Sequence, residues 1–260
     1  MTGSPDGLLP AAFSLRGRTA LVTGARRGIG AAIAVGYAAA GADLVLLARD
    51  AALDDTLEAI KQNGGGAATV VTADFADPAA VEQVATALVR DHRIDILVNN
   101  AGTIRRAPAA ETATADWQHV IDVNLNSTWA VTRPVGAEMV RRGAGKIVTI
   151  ASLLSFQGGI TVPAYTASKH AVAGLTRALA NEWGPAGVQV NAIAPGYIST
   201  DNTTDLRADT DREAAIRDRI PAGRWGRPDD LVGAAVFLAS AAADYVNGHV
   251  LAVDGGWLAR

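Results

Sequence analysis

The sequence predicts an α/β protein built on a doubly wound parallel sheet, and two patterns carry that prediction. Short runs rich in leucine, valine and isoleucine recur along the chain, apolar at consecutive rather than alternate positions, and alanine-rich stretches of helical period separate most of them. Strands apolar on both faces need cover on both faces, which helices crossing between parallel strands supply. With 260 residues, 49% hydrophobic and 19% charged, the chain suffices for one large core, and one domain is the economical division.

In chain order, residues 1–15 read as a flexible N-terminal arm, because Gly3, Pro5, Gly7 and Pro10 discourage regular structure. The domain then runs over residues 16–260 without an internal linker or repeat. Its strands are expected at TALVTG (19–24), DLVLLA (43–48), ATVVTA (68–73), IDILVN (94–99), KIVTIAS (146–152), VQVNAI (188–193) and HVLAVD (249–254), each short and β-branched or leucine-rich. The segment 195–225 breaks the alternation with a Pro-Gly start, the polar STDNTTDLRADTD and the amphipathic REAAIRDRI. An insertion of that length beside strand ends reads as a substrate lid.

Composition excludes several classes of function. A net charge of −3 lacks the basic excess of a nucleic-acid footprint. No apolar run reaches the roughly 20 residues that span a bilayer, and the first residues lack the pattern of a secretory signal. Cysteine is absent, which removes disulfide and thiol chemistry and fits a reducing, cytoplasmic setting. His92, His119, His170 and His249 have no metal-like spacing, so no metal is expected. The partner left is a small molecule, with neither nucleic acid nor membrane.

Residues 21–50 run strand, glycine-rich turn, helix, strand. Gly24, Gly28 and Gly30, with Ile29 between the last two, allow a tight turn whose backbone N–H groups approach a pyrophosphate at the helix N-terminus, where the helix dipole favours negative charge. The spacing is G-x-x-x-G-x-G. A carboxylate ending the second strand would accept the ribose hydroxyls of NAD, whereas arginine accommodates the 2′-phosphate of NADP. Here Ala48 and Arg49 occupy that end, Arg26 and Arg27 lie in the turn, and Asp50 stands two positions late. These charges favour NADP(H) over NAD(H).

Further along, PAYTASKHAVAGL (163–175) puts Tyr165 and Lys169 four apart, on one face of a helix, with small Ala167 and Ser168 between them. Taken with the glycine turn, NNAG at 99–102, Asn124 in DVNLNS, Ser152 in TIAS and PGYIST at 195–200, this pair resembles the short-chain dehydrogenase/reductase family in motif and order, over nearly the whole chain. The resemblance implies a seven-stranded Rossmann sheet, a nicotinamide cofactor across the strand carboxyl ends, and a catalytic set of Asn124, Ser152, Tyr165 and Lys169.

The chemistry accounts for those residue types. Moving hydride to or from a carbinol carbon requires a proton to move on its oxygen, and a free phenol with pKa about 10 is poorly poised for it. A lysine charge one turn away, with the oxidised nicotinamide, would favour the phenolate. Lys169 would also hold the nicotinamide ribose. Ser152 would donate to the substrate oxygen, and Asn124 would sustain a water chain to Lys169. The resemblance further implies adenine contacts at Asp74 and Phe75, a ribose wall at Asn99, Ala101 and Gly102, and carboxamide and phosphate contacts at Ile198 and Thr200 after Pro195 and Gly196.

Several stretches, including NNAGTIRRAPA, ASLLSFQGG and DYVNGHVLAVDGGWLAR, are similar to a branch described as 2-dehydro-3-deoxy-D-gluconate 5-dehydrogenases or 2-deoxy-D-gluconate 3-dehydrogenases. Gluconate 5-dehydrogenases share much of this pattern. That branch commonly uses NAD, from which Ala48 and Arg49 depart. The implied reaction is hydride transfer between the cofactor and a secondary alcohol or ketone of a sugar acid. A 3-oxoacyl or other ketone reductase is the alternative within enzymes. A non-catalytic NADP-sensing module is the alternative outside them, disfavoured because a sensor does not need Ser152, Tyr165 and Lys169. Arg105 and Arg106 are candidates for the substrate carboxylate, and Gln157 and Tyr197 for hydroxyls. Trp225 and Trp257 read as core or subunit-interface anchors. The family implies a homotetramer formed through the helices carrying Asn124 and Tyr165 and through the last strand.

Overall fold

The computed structural model describes residues 10–66 and 68–260. All seven expected strands form: β1 (Thr19–Thr23), β2 (Asp43–Ala48), β3 (Ala68–Thr72), β4 (Ile96–Asn99), β5 (Gly145–Ile150), β6 (Val188–Pro195) and β7 (Val250–Val253). They make one parallel sheet in the order β3-β2-β1-β4-β5-β6-β7. The order reverses direction between β1 and β4, and at such a switch point the connections leave to opposite faces and open a crevice above the strand carboxyl ends.

Successive side chains of a strand face opposite ways, so continuous apolar runs feed two cores. Ala20, Val22, Ile96, Val98 and Val148 pack on one face with α1 (Gly28–Ala39). Leu21, Leu97 and Ile147 pack on the other, with α3 (Pro78–Asp91), α5 (Ser127–Arg142) and α6 (Pro163–Trp183). Between α1 and α3 lies α2 (Asp54–Gln62), and α4 (Thr114–Ile121) precedes α5. Pro163 starts α6, where its missing N–H costs nothing. Ala164, Ser168, Val172 and Thr176, spaced by four, form its buried face.

Three findings refine the expectations. Residues 1–9 of the arm lie outside the described residues. Leu15, also assigned to the arm, is fully buried, and its N–H donates to the Ala40 carbonyl at 2.9 Å. The segment 195–225 is more regular than its polar composition indicated, holding α7 (Thr204–Ala208) and α8 (Thr210–Arg219). Asp209 caps α8 by accepting from the Arg212 N–H. Between α4 and α5 the chain makes one π-helical turn, Asp122–Asn126. The last α-helix of the fold is α9 (Val232–Ala239).

Candidate active site

Two adjoining cavities open above the crevice. The first, about 560 Å³, is lined by Gly24, Arg26, Arg27, Gly28, Ile29, Arg49, Asp74, Phe75, Ala101, Gly102 and Thr200, bringing together eleven of the residues predicted for the cofactor. Gly28 sits at φ +59, a left-handed conformation that favours glycine, and Thr200 faces it across the cleft. A Cβ at Gly30 would stand 2.3 Å from the Asn100 amide and from the Gly24 carbonyl, so only glycine lets the helix approach the turn this closely. The N-terminus of α1 has no side-chain cap and no acidic residue in its first turn. Its unpaired N–H groups and dipole therefore suit the pyrophosphate of a dinucleotide, and the residues present fit such a group.

Asn99 is not part of this wall. Strand alternation turns it inward, 4% exposed, with its amide donating to Thr132 and Thr149. Its neighbour Asn100 lines the cleft and donates to the Thr23 and Gly24 carbonyls, tying the β4 loop to the glycine turn. The period of two along β4 was the signal for this swap. The Ile198 side chain lines neither cavity and lies in the core, while its carbonyl accepts from the Thr203 hydroxyl. Pro195 and Gly196 line the second cavity rather than the cleft.

Charge around the cleft is more balanced than the sequence indicated. Asp50 lines it, against the expectation that it stood too late, and pairs with Arg26 at 2.9 Å and more loosely with Arg49 at 3.9 Å. Arg27 pairs with Asp201 at 2.5 Å. Arg49, 73% exposed and only distantly paired, is the least committed of the three arginines.

The second cavity, about 420 Å³, meets the first at Asn202. Ser152, Tyr165, Gln157, Tyr197 and Arg106 line it, and so does Trp257. Trp257 is thus both the buried anchor the sequence indicated and part of the cavity wall. Arg105 is not in the cavity: it points to Asp116 of α4 at 3.5 Å. Arg106 instead donates to the Asn202 carbonyl at 3.0 Å. The sequence reading missed Arg212 and Arg219, which also line this space. With Ile216 they fall at i, i+4 and i+7 of α8, a pattern legible in REAAIRDR.

Beneath the two cavities lie the remaining catalytic candidates. Lys169 is 5% exposed and donates to the Ile150 carbonyl at 2.6 Å, with its amine 5.6 Å from the centre of the Tyr165 ring. Burial lowers its pKa to about 8. Burial also raises the Tyr165 pKa, against opposing pulls from the Ser152 hydroxyl and the Arg106 charge. Without the nicotinamide cation, Lys169 alone does not make the phenol acidic. The amine is turned to a carbonyl, and desolvation of the phenolate outweighs its other surroundings.

Asn124, 1% exposed, accepts from the Thr103 N–H at 2.8 Å and donates to the Thr103 carbonyl and to Ser168. Ser168 in turn donates to the Tyr165 carbonyl at 2.8 Å. Asn124 thus links the loop after β4 to the turn of α6 that carries the phenol. Ser152 accepts from the Leu154 N–H at 3.1 Å, which leaves its own proton free to donate into the cavity.

A family model described as Enoyl-(Acyl carrier protein) reductase matches residues 24–258. The 2-dehydro-3-deoxy-D-gluconate 5-dehydrogenase of Bacillus subtilis (strain 168) is 57% identical over 254 residues, covering 98% of this chain and all of the relative. A crystal structure from Agrobacterium tumefaciens with bound NADP, described as a candidate 2-deoxy-D-gluconate 3-dehydrogenase, is 59% identical. It covers 96% of this chain and 99% of its own, with a TM-score of 0.91. Another from Beutenbergia cavernae, a candidate NAD(P)-dependent gluconate 5-dehydrogenase with NADP at low occupancy, is 57% identical with a TM-score of 0.94, covering 96% of this chain and 100% of its own. Sheet order, glycine turn, serine, tyrosine and buried lysine thus agree with full-length likeness, and the chain belongs to the short-chain dehydrogenase/reductase family.

Proposed function

We propose that this protein is a nicotinamide-dependent oxidoreductase that interconverts a secondary alcohol and a ketone on a sugar acid, of the 2-dehydro-3-deoxy-D-gluconate or 2-deoxy-D-gluconate type. The observation that carries the reading is the meeting of the two cavities, one bearing the glycine turn and the other bearing Ser152 and Tyr165, above buried Lys169. Likeness to dehydrogenases named for such substrates supports it.

A bound nicotinamide cofactor supplies the hydride acceptor or donor and, when oxidised, a positive charge. The protein's part is the proton. Tyr165 gives or takes it at the substrate oxygen, and Ser152 donates a hydrogen bond to that oxygen as charge develops. Lys169 holds a buried positive charge beneath the phenol, which favours phenolate once the second cation is present. Asn124 fixes the β4 loop and, through Ser168, the α6 turn carrying Tyr165. Gly24, Gly28 and Gly30 would shape the pyrophosphate seat, Asp74 and Phe75 would flank the adenine, and Ala101, Gly102 and Thr200 would face the ribose and phosphates.

NADP(H) is the favoured cofactor, with Arg49 the arginine free to meet a 2′-phosphate; Asp50 opposes it and leaves NAD(H) as the alternative. Residues 195–225 form the lid, lining both cavities through Thr200, Asn202, Leu206 and Ile216. Exposed Trp117 and Trp129 beside the Asn124 turn, and Tyr245 before β7, support a homotetramer built on those elements. A cytoplasmic setting follows from the same metabolic reading, and no helix among the described residues is long and apolar enough to cross a membrane.

The test is nicotinamide absorbance with aldonates, deoxy-ketogluconates and acyl ketones, run with both cofactors. Turnover confined to sugar acids is expected. The apolar wall of Leu154, Ile160, Val162 and Leu206 favours an acyl-ketone reductase as second reading, and turnover of acyl ketones alone would put it first.

A further inference from the structure

We propose that Arg219 and Arg212, on the inner face of α8, hold the substrate carboxylate at the end of the cavity away from Tyr165; the proposal rests on the sugar-acid reading above. The cavity carries three arginines and no aspartate or glutamate, so it is built for an anion. Arg106 stands at the reacting end, where its charge acts on Tyr165 and its guanidinium is engaged by the Asn202 carbonyl. Arg212 and Arg219 line the same cavity from α8, where both charges act on the Tyr197 phenol.

The geometry of Arg219 is the stronger evidence. Its guanidinium lies over the Trp257 ring, 4.0 Å from the ring centre, a cation–π contact that holds the fork against the indole. Trp257 is itself held against Tyr197, with ring centres 4.7 Å apart, and is 4% exposed. Among the described residues neither the Arg212 nor the Arg219 side chain makes an ion pair or hydrogen bond, whereas Arg217 on the same helix pairs with Glu213. An oriented, uncommitted guanidinium beside an apolar wall is suited to bidentate capture of a carboxylate.

Placing the carboxylate there has a chemical consequence. The hydroxyl presented to Tyr165 and Ser152 is then several carbons from the acid group, not adjacent to it. The enzyme would oxidise the distal part of an aldonate and discriminate against the neutral polyol of equal length.

Kinetics of Arg219→Ala, Arg219→Lys and Arg212→Ala with an aldonate and that polyol test this. Arg219→Ala should raise KM for the aldonate and cut the aldonate-to-polyol ratio of kcat/KM by about tenfold or more, as loss of a charge-assisted hydrogen bond implies. Arg219→Lys, which keeps charge without the fork, should recover only part of it. An unchanged ratio in all three variants, or equal kcat losses on both substrates, overturns the arginine assignment alone. Wild-type enzyme without preference for the aldonate overturns the sugar-acid reading and this proposal with it. Because α8 is largely exposed, an unchanged melting temperature and NADPH affinity separate these outcomes from misfolding.

Discussion

Lys169 carries its charge in a place that resists charge, and the sign of that effect can be followed with pH. Its folded pKa of about 8 lies below the ordinary 10.5, so below pH 8 the folded protein bears the full desolvation cost. Between pH 8 and 10.5 the folded state has released the proton that the unfolded state still holds, and the cost fades. Lys169→Met should therefore stabilise the protein at pH 7 by about 1–3 kcal/mol, less whatever the Ile150 carbonyl loses. Denaturant titrations should show the gain shrinking toward pH 9.5, while turnover is lost. Tyr165→Phe removes the proton donor but leaves the cleft intact: kcat should fall by at least about 100-fold, with NADPH affinity retained by fluorescence titration. Substantial remaining turnover would reject Tyr165 as the acid/base. The identities of these residues were legible because their spacing is local. What the spacing does not reveal is the environment: the amine is turned to Ile150 and the phenol is raised by burial, facts set by elements distant in sequence.

At the level of elements, all seven strands were readable because a strand buried on both faces must be continuously apolar. The facing of single residues was less so. Asn99 and Asn100 are adjacent and alike, yet pleating sends one to Thr132 and the other to the glycine turn. Asp50 stands two positions beyond the expected strand end, but the bend after β2 returns it to Arg26. That pair sets a test of the β2 end as a cofactor selector. Asp50→Asn should free Arg26 and tighten NADPH relative to NADH, by about three- to tenfold for an exposed pair. Equal changes in the two dissociation constants would remove Asp50 from the selector. The polar composition of residues 204–208 masked α7, whereas α8 is amphipathic, capped by Asp209 and buried only through Ile216.

For the whole molecule, the sheet order puts the switch point, the two cavities and the lid on one side, at the carboxyl ends of the strands. The monomer leaves Trp117 and Trp129 about two-fifths exposed and Tyr245 fully so. Light scattering of the wild type should give a tetramer, and Trp129→Glu should reduce it to smaller species; a wild-type monomer at working concentration would contradict that assembly. Quaternary contacts were not derivable from periodicity, because an interface side chain follows the same apolar pattern as a core one.

The π-helical turn before α5 also constrains what changes the chain can accept. A helix advances about 100° per residue, so the surplus residue at 122–126 leaves α4 and α5 out of phase with each other. Asp122 and Asn126 stay outside, bonded to one another at 2.6 Å, while Asn124 is swung inward onto Thr103. Excising a single residue would let the two helices fuse into a smoother rod, at the expense of rotating that amide off its loop. Length itself, and not only residue identity, is under constraint here.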